Sequence, residues 1–225
     1  LYATLGRTGV YPVQNALKAL TGGDGTADQV MLAKHLLKEL PPSHWFNRNP
    51  MLGDHKLGED AALYDLLLHP RDRAYLVPEI IELLDSAGMA LLGFIEPVRY
   101  EPETYLKDKE LRKRARELDD VDRATLAENL AGTIKTHSFY IRKKTGTAPG
   151  VAAFDPHMIP ILKEGKAEPL ARALMGKTVL TVNFDSVATR IDIPEHSPEF
   201  VRLLDGKRSL RDIQVSLSLS WPAFR

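Results

Sequence analysis

The stretch LYATLGRTGVYPV, residues 1–13, decides the fold class that the rest of the sequence follows. Residues 1–5 have the apolar pattern of the end of a buried strand, and the glycine-containing turn at 6–9 forms the loop that leaves it. The residues that follow repeat at helical spacing, with Val13 and Leu17 on one face. A buried strand that leads directly into a helix is typical of an α/β fold.

Strands and helices alternate downstream of this stretch. Apolar residues recur at helical spacing in several segments, and two shorter apolar segments have the composition of buried strands. The order strand, helices, strand, helices, strand predicts an α/β layer. The predicted helices cover residues 27–40, 60–68 and 77–87, with two charged helices inside 107–132 that break near residues 119 and 120. The predicted strands cover 89–96 and 136–142.

A linker is predicted between this α/β part and a smaller C-terminal part. Residues 145–150 consist of Thr, Gly, Ala and Pro, a composition typical of linkers. Alternating apolar residues between positions 180 and 193 predict a hairpin with its turn at Asp185 and Ser186, and short helices flank it. We therefore predict a portion of an α/β domain over residues 1–144, followed by the linker and a small α+β, winged-helix-like module over 151–225.

The composition excludes several classes of protein. The 225 residues include 30 basic and 30 acidic side chains and no cysteine. The zero net charge gives no indication of nucleic acid as a partner, and the lack of cysteine excludes a disulfide scaffold, a thiolate metal site and a cysteine nucleophile. No apolar run reaches the roughly 20 residues of a membrane helix, and no signal sequence opens the chain. We expect a cytoplasmic protein with no membrane partner.

Arg7 and Tyr11 are candidate substrate-binding residues. They follow the predicted first strand at its carboxyl end, where α/β proteins bind ligands. Gly6 and Gly9 let the backbone approach a ligand, Arg7 can pair with a carboxylate or a phosphate, and Tyr11 can cover an apolar face of a ligand. The alternative is an ordinary strand-to-helix turn that carries a surface arginine.

The segment HPRDRAY, residues 69–75, offers two further candidates. It lies between two predicted helices, and Asp72 is flanked by two arginines. Such a junction is either a structural joint fixed by a salt bridge or a surface on which His69 and Tyr75 face the substrate. The sequence contains no metal-ligand spacing and no motif of an activated nucleophile. We therefore predict no metal site and assign no catalytic residue.

Three collinear stretches resemble a group of bacterial class I S-adenosylmethionine-dependent methyltransferases. The first is LYATLGRTGVYPVQ at 1–14, which resembles the segment that follows the fifth strand of that family. The second is YDLLLHPRDRAY at 64–75, and the third is FIEPVRYEP at 94–102, which resembles the sixth strand and its exit. Residues 136–140 would then belong to the seventh strand, which in this family runs antiparallel between the fifth and the sixth.

The resemblance implies a Rossmann-like sheet of seven strands, of which this chain supplies the C-terminal half with helical insertions. The family holds S-adenosylmethionine with a glycine-rich turn after its first strand and an acidic residue at the end of its second, and neither is in this chain. No residue here is therefore assigned to the cofactor. The strand pattern that opens the chain without Met, and the helix pattern that has just begun at its end, lead us to expect a longer protein.

The resemblance also gives roles to the candidate residues and to the C-terminal part. Arg7 and Tyr11 would orient the methyl acceptor, which is a small molecule, a protein side chain or RNA, and His69 and Tyr75 would face it. Residues 178–213, and especially 203–213, resemble winged-helix-like accessory domains appended to such enzymes, which bind peptides or mediate self-association. The alternative is a non-catalytic regulatory or protein-interaction module in which the α/β part is a scaffold.

Overall fold

The chain divides into two units, Leu1–Gly146 and Thr147–Arg225. The division falls inside the linker predicted at 145–150, of which residues 147–150 lie outside the described part of the chain. The computed structural model describes residues 1–21, 26–53, 60–146, 154–184 and 187–224.

Backbone pairing runs as one series across the first unit. Strand β1 (Tyr2–Ala3) lies parallel to β2 (Ala74–Tyr75), and Tyr2 also forms an antiparallel bridge with Thr136 on the other side. Strand β3 (Met89–Phe94) pairs antiparallel with β4 (Phe139–Lys143). The segment 134–143 therefore pairs with β1 through its first half and with β3 through its second half, and it is antiparallel to both.

Hydrogen bonds extend this pairing beyond the short strands. Leu1 and His137 exchange two bonds, with Leu1 N 3.0 Å from His137 O and His137 N 2.8 Å from Leu1 O. Ala3 N donates to Lys135 O at 2.8 Å. These backbone hydrogen bonds lie on both sides of the Tyr2–Thr136 pair, and they fix its register.

The structure confirms a mixed α/β fold, and most predicted elements are present. Both charged helices inside 107–132 are observed, and they are separated at the predicted break near residues 119 and 120. Asp119 explains the break, because its carboxylate caps the second of these helices by accepting a bond from Asp122 N at 2.9 Å. The described helices of the first unit are α1 (Val10–Thr21), α2 (Thr26–Glu39), α3 (Trp45–Arg48), α4 (Asp60–Leu67), α5 (Val77–Ser86), α6 (Lys109–Arg116) and α7 (Asp120–Ala131).

The first strand is shorter than the sequence predicts. The apolar pattern covers residues 1–5, but β1 ends at Ala3 and Leu5–Arg7 form a 3-10 helix. Thr4 already has helical backbone angles, with φ −63° and ψ −46°. Strand β2 was not predicted, because a two-residue strand carries no periodicity in the sequence and forms only through its ladder with β1.

Two apolar clusters hold the first unit together. One packs helices α1 to α4 against each other, with Phe46 of α3 fully enclosed. The other packs β1 against α5 and α7. The first cluster consists of Val10, Val13, Leu17, Val30, Ala33, Phe46, Leu52, Leu63, Leu66 and Leu67, and the second of Ala3, Val77, Tyr100, Ala124 and Ile134.

The second unit is built around a hairpin and short helices. The hairpin predicted between positions 180 and 193 is confirmed as two antiparallel strands, β5 (Val179–Phe184) and β6 (Val187–Asp192). Its predicted turn at Asp185 and Ser186 lies outside the described residues. Ala171, Leu174 and Val201 form the core of this unit. Its described elements are α8 (Ala167–Leu174), β5 (Val179–Phe184), β6 (Val187–Asp192), α9 (Ser197–Arg202), α10 (Leu210–Ser216) and α11 (Trp221–Phe224).

Gly6 allows the loop after β1 to touch the segment that pairs with β1. Its amide donates to Ile134 O at 3.1 Å. A Cβ placed on Gly6 would lie 2.2 Å from that same oxygen and 2.6 Å from the carbonyl carbon of Ile134. Since both contacts are with backbone, neither group can rotate away, and only glycine fits at this position.

We expect Gly6→Ala to lower the free energy of unfolding by about 2–3 kcal/mol, because the added methyl group overpacks a backbone contact. Gly93→Ala is the matched control, since a Cβ on this strand residue would meet no atom within 4 Å. Urea unfolding followed by circular dichroism measures both variants. Equal stabilities of Gly6→Ala and the parent would contradict the pairing of the loop with Ile134.

Candidate functional site

Arg7 is buried and paired inside the protein. The residue is 6% exposed, and its Nη2 donates to Asp72 Oδ2. The two side chains form a salt bridge in which the Asp72 side chain is 2% exposed. The same guanidinium lies over the ring of Tyr2, with 4.2 Å from Cζ to the ring centroid. Asp72 thus joins the exit loop of β1 to the turn that precedes β2.

Two further side chains complete this buried cluster. Gln14 Nε2 donates to Asp72 Oδ2 at 2.8 Å and to the carbonyl oxygen of Leu66 at 3.0 Å. Burial raises the pKa of the Tyr11 phenol, and the Asp72 carboxylate adds to the rise. Three buried polar atoms of this cluster have no hydrogen-bond partner among the described residues, namely Arg7 Nε, Tyr11 Oη and Asp72 Oδ1. The cluster is therefore polar, buried and incompletely satisfied by protein groups.

His69 and Tyr75 lie at the two ends of the turn that carries Asp72. His69 is exposed, and its Nδ1 accepts a bond from Arg71 N at 3.2 Å. Tyr75 is half-buried, with the guanidinium carbon of Arg73 4.5 Å from the centroid of its ring. Its carbonyl oxygen accepts a bond from Thr4 N at 3.2 Å. The turn is therefore bonded to β1 at its end and exposed at its start.

A cleft of about 410 Å³ opens beside this turn. It lies next to the start of β1 and the residues that precede β2, and so at the amino ends of these parallel strands. Its lining combines carboxylates with cationic side chains and the ring of Tyr2. The lining residues are Leu1, Tyr2, Asp65, His69, Arg71, Asp72, Arg73 and Thr136.

The structure brings together part of the predicted site. Arg7 and Tyr11 meet at Asp72, and His69 lines the cleft beside the same carboxylate. Tyr75 is not among the residues that line this cleft. The Arg7–Asp72 salt bridge shows that the junction around Asp72 has a structural role, because it fixes the loop after β1 to this turn. Contact of Arg7, Tyr11, His69 and Tyr75 with a methyl acceptor stays a prediction.

The two glycines of the exit loop approach the protein's own backbone. Gly9 has φ +95°, and a Cβ on it would lie 2.3 Å from Phe46 N. The side-chain amide of Asn49 donates to the carbonyl oxygens of Gly6, at 3.1 Å, and Thr8, at 2.9 Å. The loop is thus fixed by α3 and the residue that follows this helix. Trp45, the first residue of α3, lies next to the loop and is 64% exposed.

The sequence interpretation missed a second buried polar cluster. Glu128 of α7 is 0% exposed and His137 is 1% exposed, with His137 Nε2 3.3 Å from Glu128 Oε1. Glu128 Oε2 accepts a bond from Val77 N at 2.9 Å, at the amino end of α5. His137 Nε2 is also 3.0 Å from the carbonyl oxygen of Tyr75, and its Nδ1 is 2.9 Å from the Tyr100 hydroxyl.

One signal in the sequence could have identified Glu128. It lies four residues after Ala124 and three before Ala131, and so on the apolar face of its helix. A carboxylate on such a face is costly unless it is paired or hydrogen-bonded.

Tyr100 stacks on Phe94 at a centroid distance of 3.5 Å, and burial raises the pKa of its phenol above the usual range.

Among the described residues, no three His, Asp or Glu side chains converge as metal ligands. Asp54, His55 and Glu59, which could contribute metal ligands, lie outside those residues. No helix in the described ranges is long and apolar enough to cross a membrane.

Removal of either partner of the Arg7–Asp72 salt bridge should be costly. We expect Arg7→Met and Asp72→Leu each to lower the free energy of unfolding by about 3–5 kcal/mol, because each leaves a buried charge unpaired. The double variant should cost clearly less than the sum. Urea unfolding of the four proteins gives the coupling energy. The exposed pair Lys34–Asp60 supplies the control, for which Lys34→Ala should cost less than about 1 kcal/mol. If the losses in free energy of unfolding caused by Arg7→Met and Asp72→Leu simply add in the double variant, the two side chains are not coupled and the buried salt bridge is contradicted.

Tyr100 should make the stability depend on pH in the alkaline range. The folded-state pKa of its phenol exceeds the unfolded value of about 10. The unfolded chain therefore loses this proton first, and stability falls as the pH rises above that value. We expect Tyr100→Phe to weaken this dependence in urea unfolding at pH 8 and about pH 10.5. Tyr140→Phe, at a 65% exposed position, is the control. If the free energy of unfolding depends on pH in the same way in Tyr100→Phe and in the parent, the raised pKa of the Tyr100 phenol is refuted.

Comparison with other proteins finds a relative in Synechococcus sp. but no matching family. No family model matches the sequence. The uncharacterized protein syc1184_c of Synechococcus sp. is 25% identical over 149 residues. The match covers 63% of this chain, and the chain spans 35% of the length of that relative. The chain is thus similar to part of a longer cyanobacterial protein whose name states no activity.

Proposed function

We propose that the chain is the C-terminal part of a class I S-adenosylmethionine-dependent methyltransferase. In this proposal the first unit is the C-terminal half of a Rossmann-like, seven-stranded sheet, and it carries the side that faces the methyl acceptor. The second unit is a winged-helix-like accessory domain. The proposal rests on the resemblance of three collinear stretches and on one topological observation.

The observation that carries the proposal is the position of the segment 134–143. It lies between β1 and β3 and is antiparallel to both. The resemblance assigns β1 to the fifth strand of the family, β3 to the sixth and this segment to the seventh. A last strand that runs antiparallel between the fifth and the sixth is the arrangement that the family would require. The resemblance and the backbone pairing are separate observations, and they agree in strand order and direction.

The chemistry of methyl transfer is compatible with the side chains that this unit offers. The reaction is an in-line displacement that depends on positioning more than on a strong acid or base. The exit loop of β1 is held rigidly by the Arg7–Asp72 salt bridge and by the Asn49 amide. In the proposal Tyr11, His69 and Tyr75 contribute to the acceptor side, while Arg7 positions the loop through Asp72.

The cofactor is proposed only for the complete protein. The glycine-rich turn and the acidic residue that hold S-adenosylmethionine in this family are not among the residues of this chain. No contact with the cofactor is assigned to any residue here, and no reaction step is derived through it. When bound, S-adenosylmethionine would supply the methyl group.

The accessory role of the second unit is supported by its composition of elements. An antiparallel hairpin, β5 and β6, lies among short helices, and α9 and α10 each have a polar residue or proline at the amino end that favours helix initiation. A module of this kind would bind a protein partner or mediate self-association. The complete protein is proposed to act in the cytoplasm.

We expect the complete protein to bind S-adenosylmethionine and residues 1–225 alone to give no measurable binding, because the cofactor-holding segments lie outside this chain. Isothermal titration calorimetry of both proteins measures this, with circular dichroism to show that each is folded. Lack of binding by the complete protein would overturn the methyltransferase proposal and favour the non-catalytic interaction module. Binding by residues 1–225 would contradict the assignment of this chain to the acceptor-facing half of the sheet.

A further inference from the structure

A groove of about 490 Å³ follows strand β3 on the side away from β4. Its walls come from α5, the turn after β3 and the amino end of α7. Apolar side chains form the inner part, with Ile81, Phe94, Tyr100 and Val121 among them. The groove lies within the first unit, and it shares no lining residue with the cleft beside Asp72.

Strand β3 is an edge strand within the described part of the chain. It pairs with β4 and with no other strand there, so backbone N–H and C=O groups along its outer edge have no ladder partner. Its register shifts between Leu91 and Gly93. Edge strands bordered by an apolar groove bind extended peptides, because the backbone provides hydrogen bonds and the groove takes alternate side chains.

The rim of the groove carries more negative than positive charge. Asp85, Glu101 and Asp120 line it together with a single cation, Arg123. Arg123 is already bonded to Glu101 at 2.6 Å and to Glu103 at 2.8 Å. Asp120 has no ion-pair partner among the described residues, whereas Asp85 lies 2.9 Å from Lys144 at the surface. The potential at the rim therefore favours a cationic ligand.

From these features we propose that the groove binds an extended, basic peptide segment of another protein. The peptide adds a strand to the free edge of β3, directs its apolar side chains into the groove and places a lysine or arginine side chain beside Asp120. A second copy of this chain is a poorer occupant, because pairing two β3 edges would bring two acidic rims together. RNA is a poorer occupant for the same reason, because its phosphates would lie beside the acidic rim.

The test uses two fluorescein-labelled ten-residue peptides, one alternating valine with lysine and one alternating valine with glutamate. Fluorescence anisotropy measures their binding to residues 1–225 at physiological salt. We expect the lysine peptide to bind and the glutamate peptide not to bind. Asp120→Lys should weaken binding of the lysine peptide by about tenfold. Asp122→Lys makes the same charge change in the same helical turn outside the groove, so it should change binding by less than about twofold.

A steric variant separates the groove from the general charge of the surface. Gly93 lines the groove, and a Cβ there would meet no atom within 4 Å, so Gly93→Val should fold normally and hinder the peptide. We expect at least fivefold weaker binding of the lysine peptide. Failure of the lysine peptide to bind the parent, or equal weakening by Asp120→Lys and Asp122→Lys, would overturn the proposal. So would a dimer in analytical ultracentrifugation that Gly93→Val dissociates, because the groove would then belong to a second copy.

Discussion

The antiparallel pairing of residues 134–137 with β1 is the interaction on which the first unit depends. Strand β1 has two residues, and it is held because Leu1 and His137 exchange two backbone bonds and Ala3 N donates to Lys135 O. The same stretch continues into β4 and so fixes the position of β3. A buried backbone group without a partner is costly, so the three strand segments are held in one register.

Two buried polar clusters secure the ends of this ladder. On one side Asp72 binds Arg7 and Gln14 and so fixes the exit loop of β1 to the turn before β2. On the other side Glu128 and His137 connect α7, the amino end of α5 and the strand segment. Buried charges of this kind contribute little net stability. Their effect is to define one arrangement of the strands and helices that they join.

Much of the fold could be predicted from the sequence, because helices such as α2 and α5 carry long apolar periodicities. The break between α6 and α7 was predictable from a different local signal, because Asp119 is a residue type that favours the amino-terminal cap of a helix. Strand β2 could not be predicted, as its two residues exist only through pairing with β1. The site was predicted in part: the Asp72 junction was recognised, but burial of Arg7 depends on long-range packing. Glu128 and His137 are nine positions apart in the sequence, and only the fold joins them to Tyr100.

The central claim is that residues 134–137 pair with β1 in this register. Because the sequence contains no natural cysteine, a pair of introduced cysteines can test it. Tyr2 and Thr136 face each other as a non-hydrogen-bonded antiparallel pair, in which the Cα atoms are close enough for a disulfide. The measurement is the intact mass together with the thiol titre of the Tyr2→Cys, Thr136→Cys double variant after equilibration with oxidised glutathione. The account predicts a single intramolecular disulfide and no titratable thiol. Two thiols that remain free, or that form only mixed disulfides with glutathione, would contradict it.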